Sequence, residues 1–71
     1  MAVKIETETG GTIWKCFVEN GQTVAEGDVL FIMEVMKMEV PYEAPVAGTV
    51  SDLAIAEGDA VTEDHLALVL T

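Results

Sequence analysis

The chain is 71 residues long, enough for one domain but near the lower limit of what a single apolar core can hold together. It carries 13 acidic residues against three lysines and no arginine, a formal charge of −10 that repels nucleic-acid phosphates and anionic lipid and favours basic partner surfaces. Hydrophobic residues make up 51% of the chain, so a core can form, while the single cysteine, Cys16, excludes an internal disulfide and an all-cysteine metal cage.

Short runs of Val, Ile, Leu and Phe alternate with turn signals at Gly10-Gly11, Asn20-Gly21, Glu26-Gly27-Asp28, Ala47-Gly48 and Glu57-Gly58-Asp59. That is the punctuation of an all-β protein. No stretch keeps a 3.6-residue apolar stripe. The best helical candidate, Ile32 to Val40, is rich in β-branched residues and is flanked by strands. No apolar run approaches the ~20 residues that a membrane helix needs. The stretch from Met1 to Glu6 lacks the apolar core of a signal peptide. A cytoplasmic domain spanning 1–71, monomeric and without membrane or nucleic-acid partners, is therefore expected.

The two halves repeat. Gly11-Thr12-Ile13 recurs as Gly48-Thr49-Val50, a shift of 37 residues. In the same ungapped register Phe17-Val18 meets Ala54-Ile55, Gly21 meets Gly58, Val24 meets Val61, and Val29 through Met33 meets Leu66 through Leu70. One strand pattern written twice implies a flattened barrel or sandwich with approximate two-fold symmetry, which protects sheet edges.

Between the repeats, Val29 to Val46 is too long for one strand of a small barrel. Folded back with Met36-Lys37 as a two-residue turn, it pairs Val35 with Met38, Met33 with Val40 and Phe31 with Tyr42, all on one apolar face. The other face pairs Glu34 with Glu39, Ile32 with Pro41 and Leu30 with Glu43. This tip is locally unfavourable. A tight hairpin turn prefers Asn-Gly, and two facing glutamates repel. Local cost without structural gain points to function, with Lys37 as the acting residue and Glu34 and Glu39 orienting its ammonium for a modifying enzyme. Met33 reads as core filling, whereas Met36 and Met38 flank a solvated tip and are better explained by recognition than by packing. No Ser/His/Asp constellation is available, so neither catalytic residues nor a metal site is expected. His65, the only histidine, reads as a turn residue, Cys16 as small core filler and Trp14 as partly buried.

At Glu34-Val35-Met36-Lys37-Met38 the chain resembles the biotinyl domain family, the biotin carboxyl carriers within the biotin/lipoyl attachment domains, whose mark is Glu-Ala/Ser/Val-Met-Lys-Met. Ala44-Pro45-Val46-Ala47-Gly48-Thr49-Val50 and Gly21-Gln22-Thr23-Val24 through Gly27-Asp28-Val29-Leu30 extend the resemblance over nearly the whole chain. The resemblance implies an all-β fold, a flattened β-barrel (barrel-sandwich hybrid) of two four-stranded antiparallel sheets. It also implies covalent biotin on Lys37, attached by a biotin protein ligase that recognises Met36 and Met38. Biotin carboxylase and carboxyltransferase subunits or domains of a biotin-dependent carboxylase or decarboxylase would be the further partners, and the domain a non-catalytic carrier. Lysine and biotin together would form a swinging arm reaching about 15 Å by summed bond lengths. The ungapped stretch from Glu19 to Asp28 leaves no room for the thumb-like insertion of some bacterial carriers, so the thumbless type is implied. A lipoyl carrier and an unmodified β docking module are the competing readings. The lipoyl relatives typically carry Asp-Lys-Ala at the lysine.

Overall fold

A computed structural model describes residues 2–71. Eight strands follow one another: β1 (Val3–Glu6), β2 (Gly11–Cys16), β3 (Thr23–Val24), β4 (Val29–Val35), β5 (Met38–Glu43), β6 (Gly48–Ser51), β7 (Ala60–Val61) and β8 (Leu66–Leu70). They form two four-stranded sheets, ordered β1-β8-β6-β3 and β5-β4-β2-β7, and all the ladders are antiparallel. The result is the flattened barrel-sandwich that the repeat implied, two facing sheets rather than one closed cylinder. No helix among the described residues is long and apolar enough to cross a membrane.

The repeat is a two-fold of the architecture, and it reaches beyond the stretch from Gly11 to Leu70 to include β1 and β5. Shifting by 37 residues carries β1, β2, β3 and β4 onto β5, β6, β7 and β8, and one sheet onto the other in the same strand order. The turn hydrogen bonds obey the same shift. Gly21 N–H donates to Val50 C=O and Gly58 N–H to Ile13 C=O, both at 2.7 Å. Val50 N–H donates to Gln22 C=O and Ile13 N–H to Asp59 C=O, both at 2.8 Å. Gly21 and Gly58 sit at φ 90° and 92°, where an L side chain is strained, which accounts for glycine at both equivalent turns. Each half thus donates its turn backbone to a strand of the other, and neither half completes its ladders alone.

The core is the inner faces of both sheets. Ile13, Leu30, Phe31, Met33, Val50, Leu68 and Leu70 are all essentially inaccessible to water. Alternation along the strands places Ile13, Phe31, Met33, Val50, Leu68 and Leu70, since side chains of a strand point alternately to the two faces, while Leu30, adjacent to Phe31, breaks that alternation. Thr7 is the one buried polar side chain among the described residues. Its Oγ1 donates to Thr62 C=O at 2.6 Å and accepts from His65 N–H at 3.0 Å, tying the β1–β2 connection to the segment ahead of β8. Those bonds satisfy the hydroxyl that burial would otherwise penalise.

Two glycines read from sequence as turn markers have another role. Gly11 and Gly48 open strands β2 and β6 at ordinary φ. A Cβ on Gly11 would lie 2.6 Å from the backbone oxygen of Glu34, and one on Gly48 3.0 Å from that of Thr71, which is the same position one repeat later. Close strand approach, not chain reversal, requires glycine at both.

His65 and Cys16 are each half-buried rather than fully in or out. Cys16 packs at the border of the core, with Sγ 3.6 Å from Val18 C=O. Trp14 keeps 42% of its surface exposed, and Lys15 Nζ lies 5.6 Å from its ring centroid.

Candidate functional site: the β4–β5 hairpin tip

Strands β4 and β5 pair as Val35↔Met38, Glu34↔Glu39, Met33↔Val40, Ile32↔Pro41 and Phe31↔Tyr42, the register that the facing pairs predicted. Met36 and Lys37 make the two-residue turn, at φ 52° and 66°. Both are left-handed, as a type I′ turn requires, and neither residue type favours that region. The other non-glycine residues with positive φ are Asp52 and Asp64, a type whose short side chain tolerates it. Met36-Lys37 has no such local compensation, so the turn is held in shape by the strands behind it.

Those strands are firmly anchored. Met33 and Phe31 are fully buried, and the Phe31 ring stacks on Tyr42 with centroids 4.6 Å apart. The Tyr42 hydroxyl accepts a hydrogen bond from Glu8 N–H at 2.9 Å, fixing edge strand β5 to the β1–β2 connection. On its other side β4 pairs with β2 only as far as Thr12↔Glu34. Beyond that rung β2 reaches only Gly11, beside Val35, and Met36 to Met38 project past it as the tip.

One part of the predicted pairing fails. Leu30 does not face Glu43. The ladder shifts between Val29 and Phe31, Glu43 pairs with Val29, and Leu30 is fully buried instead of lying on the polar face. The extra residue is a β-bulge, which lets Leu30 and Phe31 both face the core and bends the hairpin relative to the body of the sheet. Nothing in the apolar pattern marks it, because Val29 to Met33 is apolar throughout and fits either register.

At the tip the Lys37 side chain is exposed. Met36 is 88% exposed and Met38 63%, the two most exposed large apolar side chains of the described residues. An apolar side chain left in water costs about 1.5–3 kcal/mol relative to burial. Two of them beside one amine form a small apolar surface with a nucleophile at its centre. Glu34 and Glu39 are exposed and directly opposed one rung below. All five residues singled out from the sequence therefore come together on one hairpin. Among the described residues no group of three or more His, Cys, Asp or Glu could hold a metal ion.

A family model described as "Biotin-requiring enzyme", for biotin and lipoyl attachment, matches residues 1–70. The chain belongs to the biotin/lipoyl attachment family. Within it, the "Biotinylated protein TB7.3 homolog" of Mycobacterium leprae is 35% identical over 71 residues, covering all of both chains. The "Biotin carboxyl carrier protein of acetyl-CoA carboxylase" of Haemophilus influenzae is 46% identical over 56 residues, which are 79% of this chain and 36% of that protein. Among solved structures, urea carboxylase of Kluyveromyces lactis superposes with TM-score 0.89 at 31% identity, over all of this chain and 6% of the other. The lipoyl domain of the 2-oxoglutarate dehydrogenase complex of Azotobacter vinelandii superposes with TM-score 0.86 at 21% identity, over 97% and 95% of the two chains. Because the lipoyl domain has the same fold, architecture alone does not separate the two attachment chemistries; the residues at the tip must do so.

Proposed function

We propose that this member of the biotin/lipoyl attachment family is a biotin carboxyl carrier, loaded on Lys37 and serving a biotin-dependent carboxylase. The observation that carries the reading is the tip itself: an exposed lysine at the second position of a strained two-residue turn, flanked by two exposed methionines. Related carriers of biotin support the choice of cofactor.

The residues present suit the attachment chemistry. The Lys37 amine stands in water where another enzyme can reach it, and acylation would turn it into an amide. Met36 and Met38 offer the ligase an apolar surface on either side, and Glu34 and Glu39 offer it a pair of carboxylates one rung below. Once bound, biotin supplies a ureido nitrogen able to carry an activated carboxyl group. The protein's part is position: its rigid tip holds the arm's root, and tethering raises the concentration of the carried group at each site visited. Residues 1–71 act as one non-catalytic unit in this reading, and its partners are a biotin protein ligase and the carboxylase and carboxyltransferase sites.

A lipoyl carrier is the second reading, kept because the lipoyl domain shares the fold. Intact mass separates the readings. After incubation with ATP, biotin and a biotin protein ligase, the chain is expected to gain one biotin, and Lys37→Arg none. A gain of one lipoyl group from a lipoate ligase, with no biotin taken up, would overturn the assignment.

A further inference from the structure

The three methionines around the tip differ sharply in exposure. Met36 is 88% exposed and Met38 63%, whereas Met33, five residues before Met38 on the same hairpin, is 0% exposed. A thioether in water is open to oxidants, and one sealed in a packed core is not. Met36 and Met38 also occupy the turn and the first rung beside it, and neither belongs to the buried core cluster.

We infer that Met36 and Met38 are a reversible oxidation site through which hydroperoxides switch off the loading of Lys37. This rests on the carrier reading above. In the step, a lone pair of the thioether sulfur attacks one peroxide oxygen and an S–O bond forms. The O–O bond breaks, and the proton goes to the leaving oxygen, which departs as water or an alcohol. Sulfur is oxidised by two electrons and the peroxide is reduced by two. The product sulfoxide is polar and chiral, formed as two epimers, each of which its own methionine sulfoxide reductase returns to the thioether.

The consequence falls on recognition, not on folding. The oxidised atoms lie beyond the last rung shared with β2, so neither sheet loses a core contact. A ligase that covers the tip must then bury two sulfoxide oxygens where it had apolar thioethers. Burying an unsatisfied polar group is unfavourable, so loading is expected to slow by about tenfold or more.

The test treats the purified chain with hydrogen peroxide, destroys the excess with catalase, and then measures ligase-catalysed biotin uptake by intact mass. Peptide mapping is expected to find oxygen on Met36 and Met38 and none on Met33. The melting temperature should be unchanged, loading reduced, and the loading rate restored by the methionine sulfoxide reductases. In Met36→Leu/Met38→Leu the ratio of treated to untreated loading rate is expected to stay at one, whatever its untreated rate. The inference is overturned if oxidised wild type loads as fast as untreated protein, if Met33 oxidises together with the other two, or if the leucine variant stays peroxide-sensitive. Failure of the carrier reading shows separately, as a chain that takes up no biotin before peroxide is added.

Discussion

At Met36 and Lys37 the backbone works against residue preference. Each holds a positive φ that an L side chain other than Asn, Asp or Gly pays about 1–2 kcal/mol to adopt. Asparagine favours the first position of this turn, so Met36→Asn is expected to raise stability by about 1 kcal/mol, or roughly 4–8 °C in a domain of this size. The same change removes an 88% exposed apolar side chain beside the amine and should slow biotin loading. Thermal melting and a loading time course on one sample check both directions. A variant neither more stable nor slower would mean that the methionine is there by accident. The glutamate pair gives a parallel case. Glu34 and Glu39 face each other across the ladder, and replacing both by Gln removes a repulsion worth about 0.2–1 kcal/mol. Stability should rise while Lys37 modification slows. An unchanged modification rate in the stable double variant would remove the carboxylates from the site.

At the scale of elements, the hairpin depends on how closely β2 approaches β4. A Cβ at residue 11 would press into the Glu34 carbonyl at 2.6 Å, at the last rung that β2 and β4 share. At residue 48 the approach is 3.0 Å, to the Thr71 carbonyl. Gly11→Ala is therefore expected to cost about 1–3 kcal/mol, and Gly48→Ala less, because its contact is the looser of the two. Denaturant titration of the two variants compares them directly, and equal losses would contradict this account of the glycines. Most of the hairpin could be read in the sequence, because alternating residues sorted into facing pairs about one turn and only one register placed Met33 and Phe31 inside. The bulge at Leu30 could not. In an unbroken apolar run the pattern has no phase, so a slip of one residue leaves no trace. The turn glycines 21 and 58 were legible as such, whereas 11 and 48 were not, since a glycine demanded by a neighbouring strand looks the same in sequence as one demanded by a turn.

At the scale of the molecule, the two-fold was visible from Gly11 to Leu70, where glycines and apolar runs keep one register. Its extension to β1 and β5 is fainter, kept by Val3 with Val40 and Glu6 with Glu43 at the same shift. Lys4 and Pro41 occupy equivalent positions, as do Thr7 and Ala44, and nothing in their chemistry links them. Only the hydrogen bonds do, with Thr7 N–H to His65 C=O at 2.9 Å repeated as Ala44 N–H to Asp28 C=O at 2.8 Å. In that symmetry the Lys37 tip is the feature without an equivalent: the paired strands β4 and β5 are joined by a turn, while their counterparts β8 and β1 are not joined at all. The surface charge of −10 acts on the whole domain. Raising ionic strength from about 0.01 M to 0.15 M shortens screening from about 30 Å to 8 Å and should raise the melting temperature. A melting temperature that falls with added salt would mean that attractive pairs outweigh the repulsion. The most direct test of the central claim is tandem mass spectrometry of the ligase-treated chain, which has lysines only at Lys4, Lys15 and Lys37. All the biotin is predicted on Lys37 and none on the other two; biotin on Lys4 or Lys15, or spread evenly over the three, would contradict the account.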